Sequence, residues 1–356
     1  MVLFGLRDTG SVNACLSVIN ILKDKGIPVS VYAEGLAPEY LKDKLLFFPE
    51  QKISDLLNSL GPSLVILTVA IKGGSIPIGL NKEAKQRNLP TVLVEEVWGG
   101  HASFKWDILP DGVCVVDEFA KCLILRSWPN YPESNIHVTG MPFFDKYAEV
   151  ETEIARYALH DVLRLRENWP VVFFAGQAWG MPKAVKMFVE AVNNFDNPIY
   201  LILADHPSVV SSGATEEFKK IYLEYRKELS CLRMGKVVNP SGLTSGEIMA
   251  GSDIVVGIYS TMTVEACYLR KPLITIWTPE IGQLLSEARS NIMTEWPITN
   301  LGASLKAESI EEVRNCLKRI LVGDTAAMLQ AQQKYFQADG LNGERVAQAV
   351  LNYYKR

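Results

Sequence analysis

The sequence has no CxxC pair and no cluster of histidine, cysteine and carboxylate residues at metal-ligand spacing. Zinc-site and thioredoxin-like readings therefore have no starting point, and no bound metal is expected. The six cysteines (Cys15, Cys114, Cys122, Cys231, Cys267, Cys316) are scattered, most of them inside apolar runs. They read as free thiols of a reducing compartment. No apolar run approaches the ~20 residues that span a bilayer. Neither sign of charge dominates, with 36 basic against 40 acidic side chains and a net charge of −4. Nucleic acid is therefore not an expected partner. No low-complexity segment or solenoid period is present. The opening residues Met1-Val-Leu-Phe-Gly-Leu-Arg-Asp carry no basic leader and read as a first strand. The expectation is a cytoplasmic protein. Composition leaves peripheral membrane contact open and says nothing of oligomeric state.

What is present is an ordinary globular composition, 48% hydrophobic and 21% charged over 356 residues. That length exceeds one usual core and predicts two domains. Short β-rich runs at 2–6, 28–32, 64–69, 91–94, 113–116 and 136–139 alternate with amphipathic stretches. A charged, mostly helical stretch follows. A second series then has strands at 171–175, 199–204, 236–238, 254–256 and 273–276. Continuous apolar strands separated by helices predict parallel sheets covered on both faces. The fold class is α/β, with two Rossmann-like doubly wound domains facing one interdomain cleft. The boundaries are 1–145 for an amino-terminal domain, 146–169 for a helical connection, 170–335 for a carboxy-terminal domain and 336–356 for a closing helix. Ligands of such sheets bind beyond the carboxyl ends of the strands, so the loops after strands are where chemistry is sought.

The richest of these loops follows the strand ending at Gly257. Ser260 and Thr261 open a helix that carries Glu265 in its second turn. Backbone N–H groups at a helix start attract phosphate, and hydroxyls add donors. Glu265 suits ribose hydroxyls. Simple capping by Ser260 or Thr261 explains the same residues without a ligand. His206-Pro207 and Ser241-Gly242 follow two other strands. An imidazole there can donate to a phosphate or a base carbonyl, and a turn can expose backbone to a base edge.

The order of these pieces resembles the donor domain of GT-B-fold glycosyltransferases, most of all those of capsule and teichoic-acid synthesis. It also resembles the related nonhydrolysing UDP-N-acetylglucosamine 2-epimerases. The residues that carry the likeness are His206-Pro207, Ser245 and Glu247, the run Asp253 to Ala266, and Arg270-Lys-Pro-Leu-Ile274. Pro110 to Asp117, Val138 to Asp145, and Asp339-Gly340 with Glu344 to Ala347 resemble the same superfamily more loosely. The resemblance implies a nucleotide-sugar site. Gly176, Gln177, Ser260 and Thr261 would approach the phosphates. His206, Pro207, Ser241 and Gly242 would lie near base or phosphate, and Glu265 near the ribose. The implied co-substrate is UDP- or CDP/CMP-linked, with no other cofactor. The implied enzyme is a metal-independent inverting glycosyltransferase. It would pass a sugar or polyol phosphate to a hydroxyl of a carbohydrate or glycoconjugate acceptor in surface-polysaccharide synthesis. The alternatives are a nucleotide-sugar 2-epimerase and a non-catalytic nucleotide-sugar-binding protein. The epimerases usually carry a Gly-Thr-Arg-Pro-Glu-like first loop and a Gly-Gly-x-x-x-Glu-Glu helix start. The chain departs from both.

The amino half would supply the acceptor pocket and the base. Its first loop, Gly5-Leu-Arg7-Asp8-Thr-Gly10-Ser11, offers a carboxylate, a guanidinium and glycines that let a ligand approach. Asp8 is a candidate base, and a turn or capping residue in the alternative. The loop is not GxGxxG, so NAD is not indicated. Glu95-Glu96-Val-Trp98-Gly-Gly-His101 follows the fourth strand. Adjacent side chains at a strand end point to opposite sides, so one of Glu95 and Glu96 is expected to face the cleft. Trp98 and His101 are read as part of a flexible, polar loop suited to carbohydrate.

Overall fold

Apolar runs of four to six residues recur because most strands are buried on both faces. The computed structural model describes residues 1–69, 76–165, 168–211 and 213–354. It divides into two units. The first comprises 1–146, 288–293 and 338–356, and the second 147–287 and 294–337.

The first unit contains β1 (Val2–Leu6), β2 (Val29–Ala33), β3 (Leu64–Thr68), β4 (Thr91–Val94), β5 (Gly112–Val115) and β6 (Ile136–Val138). The sheet order is β2-β1-β3-β4-β5-β6, parallel throughout. Phe48 adds a parallel bridge to Tyr32 beyond β2. The helix Asn342–Tyr354 brings the chain end back onto this unit. The Asp145 carboxylate accepts from the Asn342 and Gly343 N–H groups at 2.9 and 2.8 Å, which satisfies that helix start.

The second unit contains β7 (Val171–Ala175), β8 (Ile199–Ala204), β9 (Gly235–Val237), β10 (Ile254–Gly257), β11 (Leu273–Ile276) and β12 (Leu305–Ala307). The order β12-β11-β10-β7-β8-β9 is that of a Rossmann sheet, again all parallel. The edge strand β12 has no counterpart among the sequence expectations. Its Leu305-Lys306-Ala307 is too short and too polar to register as an apolar run. The stretch 146–169 holds part of a 3-10 segment, Pro142–Ala148, and the helix Thr152–Leu163. That helix packs on Ser245–Gly251, where Gly251 leaves space for the Ala155 carbonyl.

In a parallel sheet, every loop after a strand emerges at the same edge. The switch in strand order falls between β1 and β3 in the first unit and between β7 and β10 in the second. In the second unit this brings 176–177 beside 258–260. Gly176 is required there by packing. A Cβ would stand 1.8 Å from the Ala204 carbonyl oxygen and 3.0 Å from the His206 nitrogen. The obstructing atoms are backbone, so they cannot rotate away. Gly176→Ala should therefore cost about 1–3 kcal/mol or more, as overpacking does. Gly213→Ala, where no described atom lies within 4 Å, should be close to neutral. Urea-unfolding midpoints of the two variants check this, and equal midpoints would refute the packing argument.

Candidate functional site

In the first unit, Asp8 caps the helix Thr9–Asp24. Its Oδ1 accepts from the Ser11 N–H at 2.9 Å, and Ser11 Oγ accepts from the Asp8 N–H at 2.9 Å. This reciprocal box is the local reason the helix begins here. Arg7 turns to Glu34 at 2.6 Å. The first loop nevertheless meets the second candidate segment. A Cβ on Gly10 would stand 1.9 Å from Glu96 Oε2, so the Glu96 carboxyl lies directly over Gly10.

Glu95 and Glu96 follow the end of β4 and are both buried, at 1% and 7% exposure. Glu95 Oε1 accepts from the His101 N–H at 2.9 Å and lies 2.8 Å from His101 Nδ1. Glu95 Oε2 and Glu96 Oε1 are buried with no hydrogen-bond partner among the described residues. Burial drives the Glu96 carboxyl well above the usual carboxylate range. The Asp8 charge adds to that rise, the Arg289 guanidinium opposes it, and the Glu95 charge adds a smaller push. The pair thus presents two carboxyls in different settings, the condition for separate acid and base roles.

Trp98 and His101 differ from the expectation of a flexible carbohydrate-facing loop. Trp98 is 2% exposed and donates its indole N–H to Asp117 Oδ2 at 2.7 Å. His101 is fully buried within a 3-10 turn, Gly100–Ser103. The physical reason is the Gly99-Gly100 pair. Gly99 takes φ +70°, and Gly100 lies where a Cβ would meet Val69, so the loop folds inward. Arg289 and Ser127 also belong to this neighbourhood and were not found by sequence. Both are far along the chain from Glu95, and no local spacing announces them. Residues 70–75, which follow β3, lie outside the described residues.

In the second unit, the four candidate loops follow β7, β8, β9 and β10, neighbouring strands of one sheet. Ser260 caps the helix Thr261–Tyr268 by accepting from the Met262 N–H at 3.3 Å. Gln177 links two loops, its side-chain amide donating to the Tyr259 carbonyl. His206 Nδ1 accepts from the Ser208 N–H at 3.2 Å, which leaves Nε2 as the N–H donor of the neutral ring. Burial pulls this imidazole down to about 4, so it is neutral at pH 7. Ser241 and Gly242 lie exposed in the turn after β9, where Gly242 takes φ +81°. Glu265 is 7% exposed and accepts from the Tyr147 hydroxyl. Burial, then the Glu265 charge, raises the Tyr147 phenol, so it stays a donor. Tyr147 was not anticipated, because it lies 118 residues from its partner.

Among the described residues, no group of three or more His, Cys, Asp and Glu is placed to hold a metal ion. No helix among them is long and apolar enough to cross a membrane.

A sheet of this order defines a class, Rossmann-like domains, and solved structures narrow it to one fold. The UDP co-structure of Staphylococcus aureus MnaA matches with TM-score 0.71 and 12% identity, over 99% of this chain and 97% of that one. The UDP-GlcNAc 2-epimerase of Neisseria meningitidis, bound to UDP-GlcNAc, matches with TM-score 0.68 and 13% identity, over 99% and 100%. Acinetobacter baumannii MurG matches with TM-score 0.61 and 14% identity, over 99% of both. The chain therefore has the GT-B fold of nucleotide-sugar epimerases and glycosyltransferases. No family model matches the sequence, and no curated protein is significantly similar to it.

The buried carboxyl has a consequence for stability. Glu96 ionises near 4.5 when unfolded and at higher pH when folded, so the folded state holds a proton that the unfolded state has lost. Its contribution is complete below about 4.5 and is lost as pH rises toward the folded value. Glu96→Gln should therefore flatten the fall in unfolding free energy as pH rises above about 4.5. Urea titrations at stepped pH measure this, and parallel curves for wild type and variant would contradict the assignment.

Proposed function

We propose that this chain processes a nucleoside-diphosphate sugar, with epimerisation at the sugar's second carbon as its leading reaction. The observation that carries the reading is the pair Glu95 and Glu96, two buried carboxyls each with one unpartnered oxygen among the described residues. Removing a proton from one face of a carbon and returning one to the other calls for two groups. Inverting transfer to an acceptor calls for one. Several of the similar solved structures are named UDP-N-acetylglucosamine 2-epimerase, which supports the same choice.

The chemistry balances without oxidant or metal. A carboxylate takes the proton from the second carbon. The C–H electron pair becomes the double bond to the anomeric carbon. The bond from that carbon to the diphosphate oxygen breaks, with its pair leaving on the nucleotide. Return of the diphosphate, with protonation of the opposite face, gives the epimer. Glu95 Oε2 is the proposed proton acceptor, and the neutral Glu96 the proposed donor. Asp8, the alternative base, already commits Oδ1 to its helix cap.

The second unit would hold the nucleotide. Ser260 and Thr261 with Gln177 and the Gly176 turn would face the diphosphate. The His206 Nε2–H, beside Pro207, would donate to phosphate or base, and the Ser241-Gly242 turn would meet the base edge. Glu265 would accept from the ribose. Because bound ligand stabilises the fold by mass action, UDP should raise the melting temperature, with CDP as the comparison. Ser260→Ala and Glu265→Gln should each weaken UDP binding by about 1–2 kcal/mol, roughly five- to thirty-fold. Failure of both nucleotides to bind would remove the nucleotide-sugar reading altogether.

UDP-N-acetylglucosamine incubated in D2O should take up deuterium at the second carbon. Glu95→Gln and Glu96→Gln should each slow uptake by about 100- to 10,000-fold, the usual weight of a positioned acid or base. The transferase reading is kept by the match to a structure named as a glycosyltransferase, from Rickettsia africae. Transfer of the sugar to an added acceptor, with no deuterium uptake, would decide for it.

A further inference from the structure

We propose that His101 and Ser127 are positioning residues that fix the Glu95 carboxylate so that Oε2 alone is left to act. The proposal rests on the reading of Glu95 as a proton acceptor, but its geometry stands apart from any substrate. The three side chains form one line. Glu95 Oε1 lies 2.8 Å from His101 Nδ1, and His101 Nε2 lies 2.9 Å from Ser127 Oγ. Glu95 and His101 are fully buried side chains, whereas Ser127 is half-buried.

The order acid–imidazole–hydroxyl is that of a nucleophilic triad, and the fold argues against that use. Ser127 is the last residue of the helix Glu118–Ser127. Carbonyl groups and the negative end of the helix dipole gather there. An acyl-transfer oxyanion needs N–H donors at that place. The aromatic shell also closes over the imidazole. Trp128 meets the ring edge-on at 5.1 Å, and Trp106 donates its indole N–H to the His101 carbonyl at 2.9 Å. Both ring nitrogens are already engaged within the protein, by Glu95 and by Ser127.

The same geometry suits orientation. A carboxylate at a strand end can rotate, and a rotated one presents either oxygen. Here Oε1 is held twice, by the His101 backbone N–H and by its ring. If Nδ1 carries the proton, Nε2 is an acceptor and the Ser127 hydroxyl donates a hydrogen bond to it. The Nδ1–H tautomer holds Oε1, the Ser127 hydroxyl supports that tautomer at Nε2, and Oε2 is left without a hydrogen-bond partner among the described residues. The loop Trp98 to His101, which sequence reasoning gave to carbohydrate, is on this account the support of the base.

The tautomer is observable without any substrate. In 15N-histidine-labelled protein, two-bond N–H correlations should show one ring protonated at Nδ1 and bare at Nε2. That signal should vanish in His101→Gln and shift in Ser127→Ala. In the deuterium assay, Ser127→Ala should lower the rate between about tenfold and 100-fold with KM unchanged, and Ser127→Thr should restore it. A ring protonated at Nε2, or a Ser127→Ala spectrum identical to wild type, overturns the proposal even if the enzyme turns over. The expected tautomer with no uptake from any nucleotide sugar leaves the positioning chain standing and fails the epimerase reading instead. Should His101→Gln not fold, the Ser127→Ala shift still identifies the ring.

Discussion

Every strand ladder described in the two sheets is parallel, and the rest of the molecule follows from that constraint. Parallel neighbours need a crossover, and crossovers place helices on both faces. Both faces being covered, the central strands become uninterrupted apolar runs, such as Leu-Val-Ile-Leu in β3 and Val-Val-Phe-Phe-Ala in β7. All the loops after strands then emerge at one edge of each sheet. Polar residues with no place in such a core collect there.

The two units use that edge differently. In the second, the loops carry backbone-rich turns, hydroxyls and a neutral imidazole, all suited to anions and hydroxyl groups. In the first, the edge carries carboxyls buried beyond what a surface loop would tolerate. A buried carboxyl oxygen with no hydrogen-bond partner among the described residues is unfavourable unless something else benefits, and such groups gather at functional sites. Gly10 shows how local the accommodation is. The first turn of the first helix holds a glycine because the Glu96 carboxyl occupies the place of its side chain.

Much of the fold was legible from residues alone. The apolar runs marked the strands from β1 to β11, and alternation with helices marked the parallel sheets. Capping chemistry was legible too, since Asp8 and Ser260 each stand before a helix. The short, polar β12 was not, because three residues carry no period. The candidate segments were found by position after a strand. Their use was harder to read, because a side chain's exposure is decided by its neighbours. Trp98 was read as part of a flexible loop suited to carbohydrate, and it is a buried donor to Asp117.

What the sequence determined by itself is therefore the α/β class, the two strand series, the helix starts and the strand-end loops, all of which depend on neighbours a few residues apart. The tertiary structure decided which groups meet: Glu96 over Gly10, Tyr147 on Glu265, and the line from Glu95 through His101 to Ser127. Those contacts join residues up to 118 apart, and no local period or propensity encodes a pairing at that range. Only the packing of helices onto the sheets brings them within hydrogen-bond reach.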